Sequence, residues 1–244
     1  MDRLSHSALS GMRTAMASQT ITANNLANAS TTGFRRDFAN ISALAATEAG
    51  SRDRMFANER GAGVDFTPGT TIKTDRPLDI ALQGDSMIAV QSPGGGEGYT
   101  RRGDLNVNAG GLLVNGAGHP VIGTNGPITL PAADHVMIAA DGRINIRPQG
   151  GAIDELVEIG QLKLVTPTDD DRMRRENDLF RTDGDLQADA GARLASGVLE
   201  SSNVDSAAAM VELIEQARRF EMNVGLLTTA RDLDAAGASL LRQE

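Results

Sequence analysis

The sequence predicts an α+β fold, with N- and C-terminal helices forming a coiled-coil-like layer and a central all-β domain inserted between them. Three observations carry that expectation. Both ends lack Pro and repeat apolar residues every three or four positions, the spacing of one helix face. The middle is a series of short β-like runs broken by Gly, Pro, Asn and Asp. With 27 Gly in 244 residues turns must be frequent, and with 6 Phe, 1 Tyr and 0 Trp the core must come from Ala, Val, Ile and Leu.

Residues 1–32 hold the first helix, in which Leu4, Ala8, Met12, Ala15, Gln19, Thr22 and Leu26 make a weakly apolar stripe. Gly33 and Phe34 stop it. Residues 33–64 read as a connector, helix-compatible over 39–49 and polar over 50–63. The β domain spans 65–197, with candidate strands at 78–82, 87–90, 105–108, 112–114 and 162–166. Its clearest hairpin is 136–146, where Asp141-Gly142 suits a two-residue type I′ turn that sets Ala139 opposite Ile144 and Met137 opposite Ile146.

Residues 198–244 hold the second helix, with Asn203 and Asp205 as candidate caps for its first free N–H groups. Met210, Leu213, Ala217, Phe220, Val224 and Leu227 alternate spacings of three and four, a heptad seam. Continued, that seam would bury Arg231 and Asp234. Leu226, Ala230, Leu233, Gly237 and Leu240 keep the rhythm one residue earlier, so the buried face is expected to rotate near residue 227. Glu215 precedes Arg219 by four residues, the favourable order for a helical ion pair.

Charge and composition exclude several classes. A net charge of −9 argues against phosphate-backbone binding, so no nucleic acid is expected as a partner. No run approaches the ~18 apolar residues of a membrane span, and residues 1–10 lack the basic-then-apolar pattern of a cleaved secretory signal. With 0 Cys there is no disulfide framework, thiolate metal site or cysteine nucleophile. Lys73 and Lys163 are the only lysines, so positive charge is almost all Arg.

Enzyme chemistry finds no support in the motifs. The run Gly94-Gly95-Gly96-Glu97-Gly98 has the wrong spacing for a dinucleotide fingerprint, and neither lysine sits in a P-loop. His6, His119 and His135 have no zinc-protease spacing, and Asp134-His135 lacks a Gly-x-Ser-x-Gly elbow. Asp169-Asp170-Asp171 and Asp183-Gly184-Asp185 lack the Gly and Glu of an EF-hand loop and read as acidic turns. Arg35-Arg36, Arg101-Arg102, Arg172-Met173-Arg174-Arg175 and Arg218-Arg219 read as surface groups paired with carboxylates. No catalytic residue, cofactor or metal is expected.

The two terminal helices remain the unusual feature. A helix with a narrow apolar seam is marginal alone, because nucleation is unfavourable. Burying Leu213, Phe220 or Leu227 gains ~1.5–3 kcal/mol each, so a partner helix is required. Ala8, Gly11 and Ala15 permit close approach, so the two terminal helices are expected to pair, within one chain or in a layer of many subunits.

Specific words then carry a family resemblance. The run Ala23-Asn24-Asn25-Leu26-Ala27-Asn28-Ala29-Ser30-Thr31-Thr32-Gly33-Phe34-Arg35 closely resembles the N-terminal signature of the flagellar axial proteins, the rod, hook and hook-associated family. Arg76-Pro77-Leu78-Asp79-Ile80-Ala81-Leu82-Gln83-Gly84 and Gly98-Tyr99-Thr100-Arg101-Arg102-Gly103-Asp104 look like the β domain of rod and hook proteins. Gly197-Val198-Leu199-Glu200-Ser201-Ser202-Asn203-Val204-Asp205 is similar to their C-terminal signature. Length and Ala217-Arg218-Arg219-Phe220-Glu221-Met222 look most like the proximal-rod members, with distal-rod members next.

The resemblance implies a non-enzymatic structural subunit of the periplasmic basal-body rod. Its helices would pack around the axial export channel with copies of itself and other rod proteins, after export through the flagellar type III apparatus, and transmit torque for motility. The implied assembly residues are Asn24, Asn25, Leu26, Asn28, Gly33 and Phe34 around the first helix end, with Met210, Leu213, Ala217, Phe220, Val224 and Leu227 on the second helix. Gly33 is expected to need a positive φ, and Gly33→Val to impair assembly more than β-domain folding. The rival from another class is a peptidoglycan-binding or peptidoglycan-cleaving module, for which no paired carboxylates stand at a recognisable spacing.

Overall fold

The computed structural model describes residues 2–45, 55–150, 156–168, 171 and 173–240, with backbone alone at 2–7, 40–45, 55–62, 234 and 237–240. The chain divides into two compact units. Unit 1 draws on Met1–Ala29, Arg35–Asp65 and Val204–Glu244, and unit 2 on Ser30–Phe34 and Phe66–Asn203.

Unit 1 contains α1 (Asp2–Ala27), β1 (Asp37–Ala45), β2 (Met55–Val64) and α2 (Ser206–Leu240). Asp205 caps α2, its Oδ1 accepting the N–H groups of Ala207 at 2.9 Å and Ala208 at 3.1 Å. Asn203, the other candidate cap, instead donates to the Thr67 carbonyl at 2.9 Å within unit 2. The helices lie antiparallel, with Thr22 opposite Gln216 and Gly11 beneath Asn223.

Strands β1 and β2 form an antiparallel hairpin from Asp37↔Val64 to Ala45↔Met55, with a bulge between Ala39 and Ile41. The helical expectation for 39–49 is therefore overturned over 39–45, and its remainder lies outside the described residues. Alanine's local preference for helix is weak, and backbone pairing overrides it. Extended chain is also imposed at the start of β1, where the Asn25 amide accepts from the Asp37 N–H at 2.9 Å and donates to the Asp37 carbonyl at 2.7 Å. One side chain thus stands in for a neighbouring strand.

Unit 2 is all β. Its strands are β3 (Thr71–Lys73), β4 (Ile80–Leu82), β5 (Met87–Gln91), β6 (Glu97–Thr100), β7 (Leu105–Val107), β8 (Leu113–Asn115), β9 (Ile122–Gly123) and β10 (Gly126–Pro127). They continue with β11 (Ala133–Ile138), β12 (Arg143–Pro148), β13 (Val157–Gln161), β14 (Leu164–Val165), β15 (Arg174–Glu176), β16 (Leu179–Arg181), β17 (Leu194–Ser196) and β18 (Val198–Glu200). The largest sheet has the order β14-β5-β6-β16-β15, a second is β11-β12-β13, and the rest are two-stranded. Every strand expected from the sequence has its counterpart here.

An aliphatic core of Ile80, Ile88, Val90, Leu105, Leu113, Ile144, Leu162 and Leu194 with their neighbours holds these small sheets together. The β11–β12 hairpin differs from expectation by one register step, with Ile138↔Ile144 and Val136↔Ile146 as the observed pairs. The loop has three residues, because Gly142 takes φ +85° and donates its N–H to the Ala139 carbonyl. That is a turn followed by a left-handed glycine, a common three-residue loop. The step puts Ile138, Ile144 and Ile146 into the core and turns Met137 outward.

A buried ion pair ties unit 2 together, where the sequence reading placed Arg101 on the surface. Arg101 is 3% exposed and uses all five guanidinium N–H groups. Its Nε and Nη2 donate to Glu200 Oε2 at 3.0 and 2.8 Å, Nη1 to the Gly84 and Ser86 carbonyls at 2.7 Å each, and Nη2 to the Leu82 carbonyl at 3.0 Å. Glu200 Oε1 accepts the Gly69 N–H at 2.9 Å.

Candidate functional site

The faces of α2 divide sharply. Ala209, Leu213, Gln216, Phe220, Asn223, Leu227 and Ala230 form the covered stripe, alternating spacings of four and three. Of the seam expected from the sequence, Leu213, Ala217, Phe220, Val224 and Leu227 are half-buried, whereas Met210 is exposed. Of the face expected to take over near residue 227, Ala230 is buried and Arg231 exposed as expected. Leu226 and Leu233 are not covered, and the side chains of Asp234 and Leu240, with the burial of Gly237, lie outside the described residues. Ala230 continues the covered stripe, while Leu226 and Leu233 are both about half exposed, at 52% and 51%.

At the centre of the stripe the residues at seven-residue spacing are small or polar, Ala209, Gln216, Asn223 and Ala230, of which hydrophobic periodicity points only to Ala230. On α1 the covered positions are likewise Ala8, Ala15, Thr22 and Asn25. Many of the large apolar side chains are not covered by the partner helix. Leu9 and Met16 of α1, and Met210, Val211, Ile214, Met222, Leu226 and Leu233 of α2, are exposed, Met222 to 64%. Glu215 and Arg219 stand 4.0 Å apart at the surface, worth only a few tenths of a kcal/mol.

The motif around the first helix end splits between the two units. In unit 1, the Asn24 carbonyl accepts the Asn28 N–H at 3.1 Å and Asn28 Nδ2 at 3.0 Å, closing the last turn. Asn24 is exposed, Leu26 is half-buried and Asn25 is buried against Asp37. In unit 2, Gly33 takes the expected positive φ, +67°. Its N–H donates to the Glu200 carbonyl at 2.8 Å, and a Cβ on it would lie 2.3 Å from the Arg101 carbonyl oxygen. A valine there therefore strikes unit 2 itself, which reverses the expectation that β-domain folding would be spared. Phe34 is buried, with the Arg175 guanidinium 4.6 Å from its ring centre and 4.6 Å from that of Phe180. Arg175 is a cation between two rings, where a plain surface charge was expected.

Two polar clusters stand out in unit 2. Tyr99 is 1% exposed, donates to Glu97 Oε2 at 3.0 Å and accepts the Leu186 N–H at 2.7 Å. Burial and the neighbouring Glu97 carboxylate push its pKa up to about 12. Lys163 Nζ holds both Glu97 oxygens at 2.7 Å. His119 Nε2 contacts Asp178 at 3.0 Å, and His135 is exposed. Among the described residues no group of three or more His, Cys, Asp or Glu side chains is placed to hold a metal, and no helix is long and apolar enough to cross a membrane. The side chain of His6, and Asp169, Asp170 and Arg172, lie outside the described residues.

Three separate stretches of the chain match known families. Residues 6–35 match the family described as flagella basal body rod protein, residues 81–146 the flagellar hook protein FlgE/F/G D1 domain, and residues 195–240 the flagellar basal body rod FlgEFG protein C-terminal family. The flagellar basal-body rod protein FlgF of Salmonella typhimurium is 39% identical, with 99% of each chain covered. That of Escherichia coli is 40% identical over 95% of each chain. The rod protein FlgG of Bacillus subtilis is 30% identical, over 96% of this chain and 97% of its own. The chain belongs to the family of flagellar basal-body rod proteins.

Proposed function

We propose that this chain is a structural, non-enzymatic subunit of the proximal flagellar rod that assembles through the outward faces of α1 and α2. One observation carries the reading. Among the described residues, the in-chain pair of helices fully buries only small and polar side chains and covers Leu213, Phe220 and Leu227 in part. It leaves Leu9, Met16, Met222, Leu226 and Leu233 exposed, more apolar surface than a self-contained hairpin leaves open. Covering Met222, Leu226 or Leu233 gains ~1.5–3 kcal/mol each, and copies of this chain or other rod proteins are the partners that supply such a cover. Asn24, Asn25, Leu26, Asn28, Gly33 and Phe34 hold the chain direction after α1, while Leu213, Ala217, Phe220, Val224 and Leu227 back the helix whose other side is offered to neighbours.

In the basal body these helices surround the axial export channel and the assembly transmits torque. The subunit reaches its place through the type III export apparatus, for which an unfolded chain with 0 Cys carries no risk of oxidative trapping. The FlgF relatives at 39–40% identity favour the proximal over the distal rod, since the FlgG relative stands at 30%. Met222→Asp with Leu226→Asp tests the reading in a strain lacking the chromosomal copy. Loss of swimming and of rods, with the helicity of the purified chain kept, is expected; normal motility would sink it.

A further inference from the structure

The contact between α1 and α2 is polar at its centre. Gln216 is 6% exposed, and its Nε2 donates to Thr22 Oγ1 at 2.9 Å and to Glu212 Oε1 at 3.1 Å. Seven residues on, the Asn223 amide lies so close over Gly11 that a Cβ on that glycine would stand 2.9 Å from Asn223 Oδ1. A groove of about 450 Å³ opens beside them along Thr14 and Ser18, so apolar packing does not fill this part of the seam.

An apolar heptad seam tolerates slipping by seven residues, because each turn looks like the next. A polar side chain at such a position is better satisfied in one alignment than in the others. Here Gln216 Nε2 is bonded across the seam, while its Oε1 has no hydrogen bond among the described residues. Slipped one way, Gln216 faces Ala29 and Asn223 faces Ser18; slipped the other way, they face Ala15 and Leu4. Neither arrangement restores both a hydroxyl for Gln216 and an open glycine for Asn223.

Alignment matters because the outer surface is a composite. Leu9 and Met16 come from α1, and Met222, Leu226 and Leu233 from α2. A slip of one heptad shifts the two sets by about 10 Å along the axis, at 1.5 Å per residue. We propose that Gln216 and Asn223 are positioning residues that lock the register of α1 on α2, and so compose the apolar face presented to neighbouring rod subunits. This rests on the assembly reading above, but its test does not need a rod.

The chain has 0 Cys, so introduced cysteines report alignment alone. Ala8 and Ala230 are both buried on the facing stripes, at the same antiparallel offset as Thr22 and Gln216. Ala8→Cys with Ala230→Cys therefore reports the native register, and Ala15→Cys with Ala230→Cys a slip of one heptad. Each pair is placed in the full-length chain, with and without Gln216→Met and Asn223→Leu, singly and together. Dilute oxidation is followed by gel mobility and helicity by circular dichroism. The parent closes the 8–230 bridge, and the double replacement raises the 15–230 product about ten-fold, the scale of one lost buried hydrogen bond and the lost fit of Asn223 over Gly11. A 15–230 yield at the parental level, whether helicity is kept or lost, overturns the proposal: the two side chains would then hold the pair without choosing its register. Motility of the Met222→Asp and Leu226→Asp strain decides the assembly reading separately.

Discussion

At the scale of single residues, unit 2 is held by buried polar groups that pair with one another. Arg101 and Glu200 are the strongest case, because a buried pair that loses one member leaves an uncompensated charge and costs ~3–5 kcal/mol. Glu200→Gln and Arg101→Met are both expected to lower unit 2 stability by amounts in that range, measured by urea unfolding; a change under about 1 kcal/mol would contradict this account. Tyr99 gives a second prediction, with a sign that follows from its raised pKa. The unfolded phenol titrates near 10 and the folded one near 12, so the folded state disfavours the phenolate. Its stabilisation is complete below pH 10 and is lost as pH rises from 10 to 12, at most about 2–3 kcal/mol. Tyr99 is the sole tyrosine and there is no tryptophan, so phenolate absorbance follows this group alone. A native midpoint near 12 that falls toward 10 in denaturant is expected, and a native midpoint near 10 would show a solvated phenol. Tyr99→Phe leaves Glu97 with Lys163 but removes the side-chain acceptor of the Leu186 N–H, and should cost ~1–3 kcal/mol.

At the scale of elements, turns decide what patterning leaves open. Gly33 and Gly84 both have positive φ, +67° and +59°, but only Gly33 faces backbone where a Cβ would sit. Gly84→Ala should therefore cost only the left-handed strain of ~1–2 kcal/mol, and Gly33→Ala a further ~1–3 kcal/mol from overpacking. Equal urea midpoints for the two variants would refute the close approach at Arg101. The same elements show what the sequence made legible. Period two over 78–82 and short apolar runs between turn residues located β4, β5, β7, β8 and β14, because a short apolar run is what a strand buried on both faces, such as β4 or β5, leaves in the sequence. The β11–β12 register was missed by one step, since Asp141-Gly142 suits both a two-residue loop and the longer loop seen, and the core chooses the version that buries Ile138, Ile144 and Ile146. The β1–β2 hairpin was invisible because its Ala-rich strand is locally as good a helix. On α2, hydrophobicity located Leu213, Phe220 and Leu227 but could not show that Gln216 and Asn223 sit between them, nor that Leu226 and Leu233 face outward.

At the scale of the whole molecule, the two units are stabilised by different materials and should part company under denaturant. Unit 2 buries Ile80, Ile88, Val90, Leu105, Leu113 and Ile144 completely, each contributing ~1.5–3 kcal/mol. Among the described residues, the buried side chains of α1 and α2 are Ala8, Ala15, Thr22, Asn25, Ala209, Gln216 and Ala230, which bring little apolar area. Amide hydrogen bonds contribute ~0.5–1.5 kcal/mol net apiece and do not close that gap. In a dilute monomer, helical ellipticity should therefore fall at lower urea than the Tyr99 signal, which lies inside unit 2. Proteases should trim both helices first and leave a resistant piece near 65–200, close to the Phe66–Asn203 stretch of unit 2. Assembly should then bring the two transitions together, because a neighbour that covers Met222, Leu226 and Leu233 binds only the folded helices and stabilises them by mass action. Coincident transitions in the monomer would mean that α1 and α2 need no neighbour, and the case for assembly through their outer faces would fall with that result.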